Sequence, residues 1–235
     1  MAIQIRAVTD PHDPAIAAFG ELQDRTFPEP DMLIPPAYFP RMLATQTPER
    51  RNLMLVATLC GTVVGGALFH YLAEPNTGFS SFMAVAPEVR GQGVARAIHA
   101  ARFALLDEAA GEAAPVAGIF IDVVAPERLT PREVARERSV GADPWARRRI
   151  FQRLGFRRVD VAYYQPPEGS GGEAITNMDL LYAPHTPAET VPAELVVGTM
   201  RVYWTPWLGR ATAERHAEEL RRRCGGEFVA LKPAE

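Results

Sequence analysis

Val85-Ala86-Pro87-Glu88-Val89-Arg90-Gly91-Gln92-Gly93-Val94-Ala95 reads as the end of a strand, a turn carrying two glycines, and the first turn of a helix. Upstream, Phe79 to Val85 is uncharged and ends in the alternation Met83, Val85. Downstream, Val94, Ile98, Ala101 and Leu105 recur at helical spacing, with Arg96, His99 and Arg102 between them. Such a junction binds anions. The first N–H groups of a helix have no partner inside it, and the helix dipole places partial positive charge there. Gly91 and Gly93 allow close backbone approach, and Arg90 adds a guanidinium suited to two-pronged contact with phosphate. A Walker A loop would need Gly-Lys-Ser/Thr, which is missing. A dinucleotide fingerprint would need a third glycine where Arg96 stands.

Working outward, Cys60-Gly61-Thr62 and Gly65-Gly66 punctuate an uncharged run from Asn52 to Ala73. The run is long enough to span a bilayer, but its turn signals and β-branched residues favour two strands, Leu53 to Leu59 and Val63 to Leu72. A strand, Gly78 to Val85, and a helix, Gly93 to Ala109, flank the glycine turn. Ala117 to Val124 is nearly all apolar, as for a strand buried on both faces. Strand, turn, helix, strand is one right-handed crossover. Before this unit, Ile3 to Ala7 alternates as a strand, and Pro14 opens a helix that runs to about Phe27. The prolines between Phe27 and Pro40 exclude regular structure over most of that segment, which is either a substrate lid or a stiff loop; a short helix follows at Ala37 to Thr45.

After the unit, Thr130-Pro131-Arg132-Glu133 is a capping box that starts a short helix. Asp143-Pro144 starts another, which ends at Gly155. Strands are expected over Phe156 to Tyr164 and Ile175 to Tyr182, with the Pro/Gly loop Gln165 to Gly172 between them. From Ala183 the pattern changes. Thr186-Pro187 and Val191-Pro192 resemble helix starts, and Leu195 to Trp204 is compatible with helix or strand. Ala211 to Arg223 is a surface helix, and Phe228 to Leu231 a last strand. The division expected is a domain over 1–183 and an extension over 184–235. The extension either packs on the core or forms a contact between two copies of the chain through Tyr203, Trp204 and Trp207.

The whole composition narrows the function. The chain has 235 residues, of which 47% are hydrophobic, enough for one large domain or a domain with a subdomain. A formal net charge of −3 disfavours a nucleic-acid partner. Two cysteines, Cys60 and Cys224, supply neither a disulfide framework nor a metal-ligand spacing, so a cytoplasmic setting and no metal are expected. The first residues lack a signal-peptide pattern, and no membrane association is expected.

Arg90-x-x-Gly93-x-Ala95, preceded by Val85-x-Pro87, resembles the Arg/Gln-x-x-Gly-x-Gly/Ala motif of the GNAT acyltransferase superfamily, in which the loop wraps the pyrophosphate of acetyl-CoA. Arg149-Ile150-Phe151-Gln152-Arg153-Leu154-Gly155-Phe156 resembles a second landmark of that family, the helix that ends in Leu-Gly-Phe before the sixth strand. The resemblance implies an α/β fold with a central mixed, mostly antiparallel sheet and helices on both faces. The sheet splays between its fourth and fifth strands, and acyl-CoA lies in the split. It also implies an acetyl-CoA-dependent N-acyltransferase acting on an amine of a small molecule or peptide by direct attack. The co-substrate contacts would be Met83, Ala84, Val85, Arg90, Gly91, Gln92, Gly93, Val94, Ala95 and Phe151. Where many members carry an acid tyrosine, this chain has Phe151, which has no proton to give. Tyr163 or Tyr164 is the candidate substitute, and a catalytically silent acyl-CoA-binding module is the alternative. A nucleotide-binding regulator ranks behind both. For the base, Asp122 stands inside an apolar strand, where burial raises a carboxyl pKa toward neutrality; its alternative is a strand-end carboxylate bonded to backbone or solvent. Glu127 follows nearby, Glu21 and Asp24 could meet a cationic substrate, and His70 is read as a satisfied core histidine.

Overall fold

The computed structural model describes residues 3–27, 34–112, 114–167 and 172–235. The elements in order are β1 (Gln4–Ala7), α1 (Ala15–Thr26), a 3-10 turn (Pro36–Tyr38) running into α2 (Phe39–Ala44), β2 (Arg50–Leu59), β3 (Thr62–Leu72), β4 (Thr77–Val85), α3 (Val94–Ala110), β5 (Gly118–Val124), α4 (Pro131–Ser139), α5 (Pro144–Arg153), β6 (Arg157–Val159), β7 (Met178–Pro184), β8 (Thr190–Pro192), α6 (Ala193–Leu208), α7 (Arg210–Cys224) and β9 (Phe228–Lys232). Among the described residues the strands form one nine-stranded sheet in the order β1-β2-β3-β4-β5-β7-β6-β9-β8. Every pairing is antiparallel except β4 with β5.

The uncharged run folds as the β2–β3 hairpin. Its turn residues Cys60 and Gly61 have φ of 51° and 80°, the doubly left-handed turn that matches strand twist. No helix among the described residues is long and apolar enough to cross a membrane.

Adjacent glycines of β3 show how the helices are shared between the faces. A Cβ on Gly66 would strike Phe19 of α1, while one on Gly65 would meet Val94 and Ile98 of α3. Neighbouring strand residues point to opposite faces, so α1 and α3 lie on opposite sides of the sheet. On the α1 side, α6 crosses β3 and β4, with Tyr203 stacked on Phe79 at 3.6 Å and Thr199 bonded to Thr77 at 2.9 Å. On the α3 side, α5 brings Phe151 against Phe156, which also touches His99 of α3.

Several local expectations need correction. The strand expected over Phe156 to Tyr164 is only Arg157–Val159, because its ladders to β7 and β9 end there and the chain turns at Asp160, leaving one isolated bridge between Gln165 and Ile175. The returning strand is shifted to Met178–Pro184. Thr186-Pro187 starts no helix; the segment bends at His185, Thr186 and Glu189 and leads into β8, which pairs with β9. The undecided stretch Leu195 to Trp204 is helix, since burial of Val196, Val197, Met200 and Trp204 along one stripe outweighs its β-branched content. Trp204 is buried and Tyr203 partly buried within the chain's own core. The capping box at Thr130 and Glu133 forms as read, and Asp143 caps α5 by accepting from the Trp145 N–H. Part of the proline-rich lid candidate, 28–33, and part of the Gln165 to Gly172 loop, 168–171, lie outside the described residues.

Candidate active site

β4 and β5 pair only at Gly78↔Ile119 and Phe79↔Phe120. Beyond those positions β4 continues to Val85 and β5 to Val124 without pairing, so the sheet opens into a split. On its β4 wall, Ala86 donates its N–H to Val64 of β3 at 2.8 Å. Strand alternation then turns the N–H groups of Met83 and Val85 away from β3 and into the split. Ala84 faces β3 instead. The sequence reading treated Met83, Ala84 and Val85 alike; the alternation separates them.

At the mouth of the split the glycine turn leads into α3. Gly91 and Gly93 have φ of 79° and 83°, a conformation that costs any residue with a Cβ roughly 1–2 kcal/mol. Gln92 donates to Val89 and Ala97 to Gly93, but among the described residues the N–H groups of Gly91, Gly93, Val94 and Ala95 have no backbone acceptor. They form a row of free donors at a helix N-terminus, which suits an anion. Arg90 donates to the Gly141 carbonyl at 2.6 Å and reaches the Val85 carbonyl at 3.4 Å, so its guanidinium arches over the turn. A diphosphate fits this donor set: free amides, one cation and no carboxylate recorded among its hydrogen-bond partners.

Across the vertex, continuing the β4–β5 register past Phe79↔Phe120 brings Ser81 opposite Asp122, with both side chains on the α6 side. Asp122 is partly buried and accepts from the Tyr163 hydroxyl at 2.9 Å. Burial pushes its carboxyl up to about 6, opposed by the Tyr163 hydrogen bond. The neutral phenol of Tyr163 is held well above its ordinary value, by burial and then by the Asp122 charge. Asp122 is therefore neither at a strand end nor bonded to backbone alone, and Tyr163 is its partner. Tyr164 points the other way: its hydroxyl donates to Glu219 at 2.5 Å and accepts from His216 at 2.7 Å, both on α7. Glu127 lies beyond the end of β5 on the wall of a groove of about 600 Å³ with Leu129, Val134, Arg138 and Trp145. Phe151 is buried on the α3 side, edge-on to Phe156 at 5.4 Å, across the sheet from Asp122. The split thus gathers the loop residues, Met83, Val85 and Asp122, and leaves out Tyr164.

Further polar groups are packed behind the β4 wall of the split. On the α3 side the buried Arg102 donates to Ser80 at 2.7 Å and to His99 at 2.7 Å, and burial lowers it to about 9. On the α6 side His70 bonds to Ser81 at 2.8 Å and to Asn52 at 2.8 Å, and Tyr203 reaches Ser81 at 3.2 Å. Ser81 occupies the register shift between β3 and β4, an extra residue that bends the strand beside the vertex. Phe82, next in β4, meets Phe27 edge-on at 6.1 Å, so the start of the proline-rich segment lies beside the same opening.

A family model described as Acetyltransferase (GNAT) family matches residues 16–114. Among solved structures, a GNAT-family protein from Bacteroides thetaiotaomicron is 16% identical, with 88% of this chain and 98% of that one covered at a TM-score of 0.50. Ard1 from Thermoplasma volcanium is 17% identical, with 80% of this chain and 100% of that one covered, also at 0.50. No curated protein matches the chain. At these identities the solved structures speak for the fold. Through residues 16–114 the chain is similar to the GNAT acetyltransferase family, and it carries that family's fold.

Proposed function

We propose that the protein is an acetyl-CoA-dependent N-acyltransferase that acylates an amine of a small molecule or peptide by direct attack. The observation that carries this is the pairing of a split lined by free amides with a carboxyl, Asp122, raised to about 6 at its vertex. Acetyl-CoA is a consumed co-substrate here. Arg90 and the amides of Gly91, Gly93, Val94 and Ala95 would hold its diphosphate, and the N–H groups of Met83 and Val85 are placed to polarise carbonyl groups lying along β4. Amines reach the site as ammonium ions, which are not nucleophiles. Asp122, ionised near neutral pH, takes that proton, and Tyr163 keeps the carboxylate oriented while it does so. Phe151 supplies no acid, so the thiolate departs without help from that position.

The lack of a hydroxyl at Phe151 also supports a second reading, an acyl-CoA-binding module without turnover. Thiol release from acetyl-CoA across a panel of amines, polyamines, aminoglycosides and peptide N-termini separates the two. Amine-dependent release supports the enzyme. Saturable binding of acetyl-CoA with no release above buffer, for any amine, supports the module.

A further inference from the structure

The polar chain behind Ser81 has a defined direction. Both hydrogens of the Asn52 amide are used, on the carbonyls of Met42 and Thr45 at 2.8 Å each. The amide oxygen is therefore the atom facing His70 and also accepts from Arg50 at 3.1 Å. Since that oxygen only accepts, His70 Nδ1 carries the hydrogen, and Nε2 is left as an acceptor. Its contact at 2.8 Å is Ser81 Oγ, whose hydrogen therefore points at the imidazole. With that hydrogen committed to His70, the Tyr203 hydroxyl is the donor to Ser81 Oγ at 3.2 Å, which leaves one Oγ lone pair unused. His70 is fully buried, whereas Ser81 is partly exposed. A hydroxyl at an opening, hydrogen-bonded to a neutral imidazole that a third group orients, is the arrangement that activates a serine nucleophile.

We propose that Ser81, with His70 as its base and Asn52 as the residue that orients His70, gives the protein a second activity: acyl-CoA hydrolysis through an acyl-serine when no amine is present. This rests on the reading that an acyl thioester lies in the split. In the first step Ser81 Oγ forms a bond to the acyl carbon and the carbon–sulfur bond breaks. The hydroxyl proton passes to His70 Nε2 and on to the departing thiolate, which leaves as free CoA thiol. In the second step water attacks the ester carbon, His70 Nε2, neutral again, takes its proton, and that proton is returned to the Ser81 oxygen as the carbon–oxygen bond to the serine breaks. The sum is thioester plus water giving carboxylic acid plus thiol. Burial, with the Arg50 guanidinium second, keeps His70 well below the usual imidazole range. The imidazole is thus neutral and able to accept throughout the working pH range. The same environment makes a lasting imidazolium costly, so the proton is handed on as the thiolate forms.

The test uses the full chain and acetyl-CoA with no amine. CoA release is followed by thiol titration, the quenched protein is digested and its peptides weighed, and coenzyme A binding is measured by calorimetry. Wild type is expected to release thiol above the buffer rate and to carry one acetyl group on the peptide containing Ser81. Ser81→Ala, a small change on a partly exposed strand residue, is expected to lose the adduct and at least about tenfold of the amine-free release while binding coenzyme A as wild type does. Ser81→Cys, which keeps a nucleophile, is expected to retain the adduct. Amine-free release equal to buffer, or undiminished in Ser81→Ala, overturns the proposal while leaving amine acylation standing. Failure of coenzyme A to bind at all overturns both.

Discussion

Replacing Asp122 by Asn should make the protein more stable and less active, and the two effects share one cause. The carboxyl is raised from 3.8 to about 6, mainly by burial. A shift of roughly two pKa units corresponds to about 3 kcal/mol at about 1.4 kcal/mol per unit. Between about pH 4 and pH 6 the folded chain keeps a proton that the unfolded chain has lost, so stability falls as pH rises through that window and is flat above it. Asn is neutral at every pH and its amide oxygen can still accept from Tyr163. Near pH 7.5, Asp122→Asn should therefore be more stable than wild type by about 1–3 kcal/mol; near pH 4 the two should agree within about 0.5 kcal/mol. Urea unfolding at both pH values reads the difference as a shift in midpoint at unchanged slope. In the same variant, amine acylation should drop by roughly 10²–10⁴-fold, and the acid limb expected of wild type near pH 6 should be missing. A variant that is destabilised near pH 7.5, or whose stability difference from wild type does not change with pH, would refute the assignment of a buried, raised carboxyl.

Tyr163→Phe removes the hydrogen bond that opposes the upward shift of Asp122, so the acid limb of its pH–rate profile should move to higher pH. Gly93→Ala meets no atom within 4 Å but must hold φ at 83°, so it should lose about 1–2 kcal/mol of stability and weaken coenzyme A binding, measured by thermal melts and calorimetry. Tyr164→Phe should leave acylation rates within about twofold, because its hydroxyl is held by Glu219 and His216 on α7, while unfolding should show a loss of about 1 kcal/mol.

The fold was legible where one local pattern decides it. The β2–β3 hairpin, the glycine turn before α3 and both capped helices, α4 and α5, each follow from a short run of residues with a single low-energy conformation. The candidate site was legible along β4 and in Asp122, since a carboxyl in an apolar strand stands out. What could not be read were groups joined by register. Counting back from the turn at Cys60 and Gly61 puts Asn52 opposite Phe69; the irregularity at Ala57/Thr58 moves it opposite His70. A second irregularity in the β3–β4 ladder at Leu68/Phe69 leaves Ser81 beside His70. The β3–β4 bulge has no glycine or proline at the shift to announce it, and Gly65, which stands at the β2–β3 shift, reads from sequence as a turn signal, so the Asn52, His70 and Ser81 chain is invisible before the strands are paired. Tyr203 was hidden differently, because a helix whose own character was ambiguous returns from the end of the chain to stack on Phe79. Tyr163 and Tyr164 are adjacent in sequence, and only the turn after β6 sends one to Asp122 and the other to α7.

The most direct measurement is a calorimetric titration of the protein with coenzyme A at low and high salt, beside Arg90→Ala. If the amides of the turn after β4 and the Arg90 guanidinium hold a diphosphate, wild type will bind saturably at one site, salt will weaken the binding, and Arg90→Ala will weaken it by about tenfold or more and blunt the salt dependence. Absence of saturable binding, or binding that Arg90→Ala leaves unchanged, would contradict it.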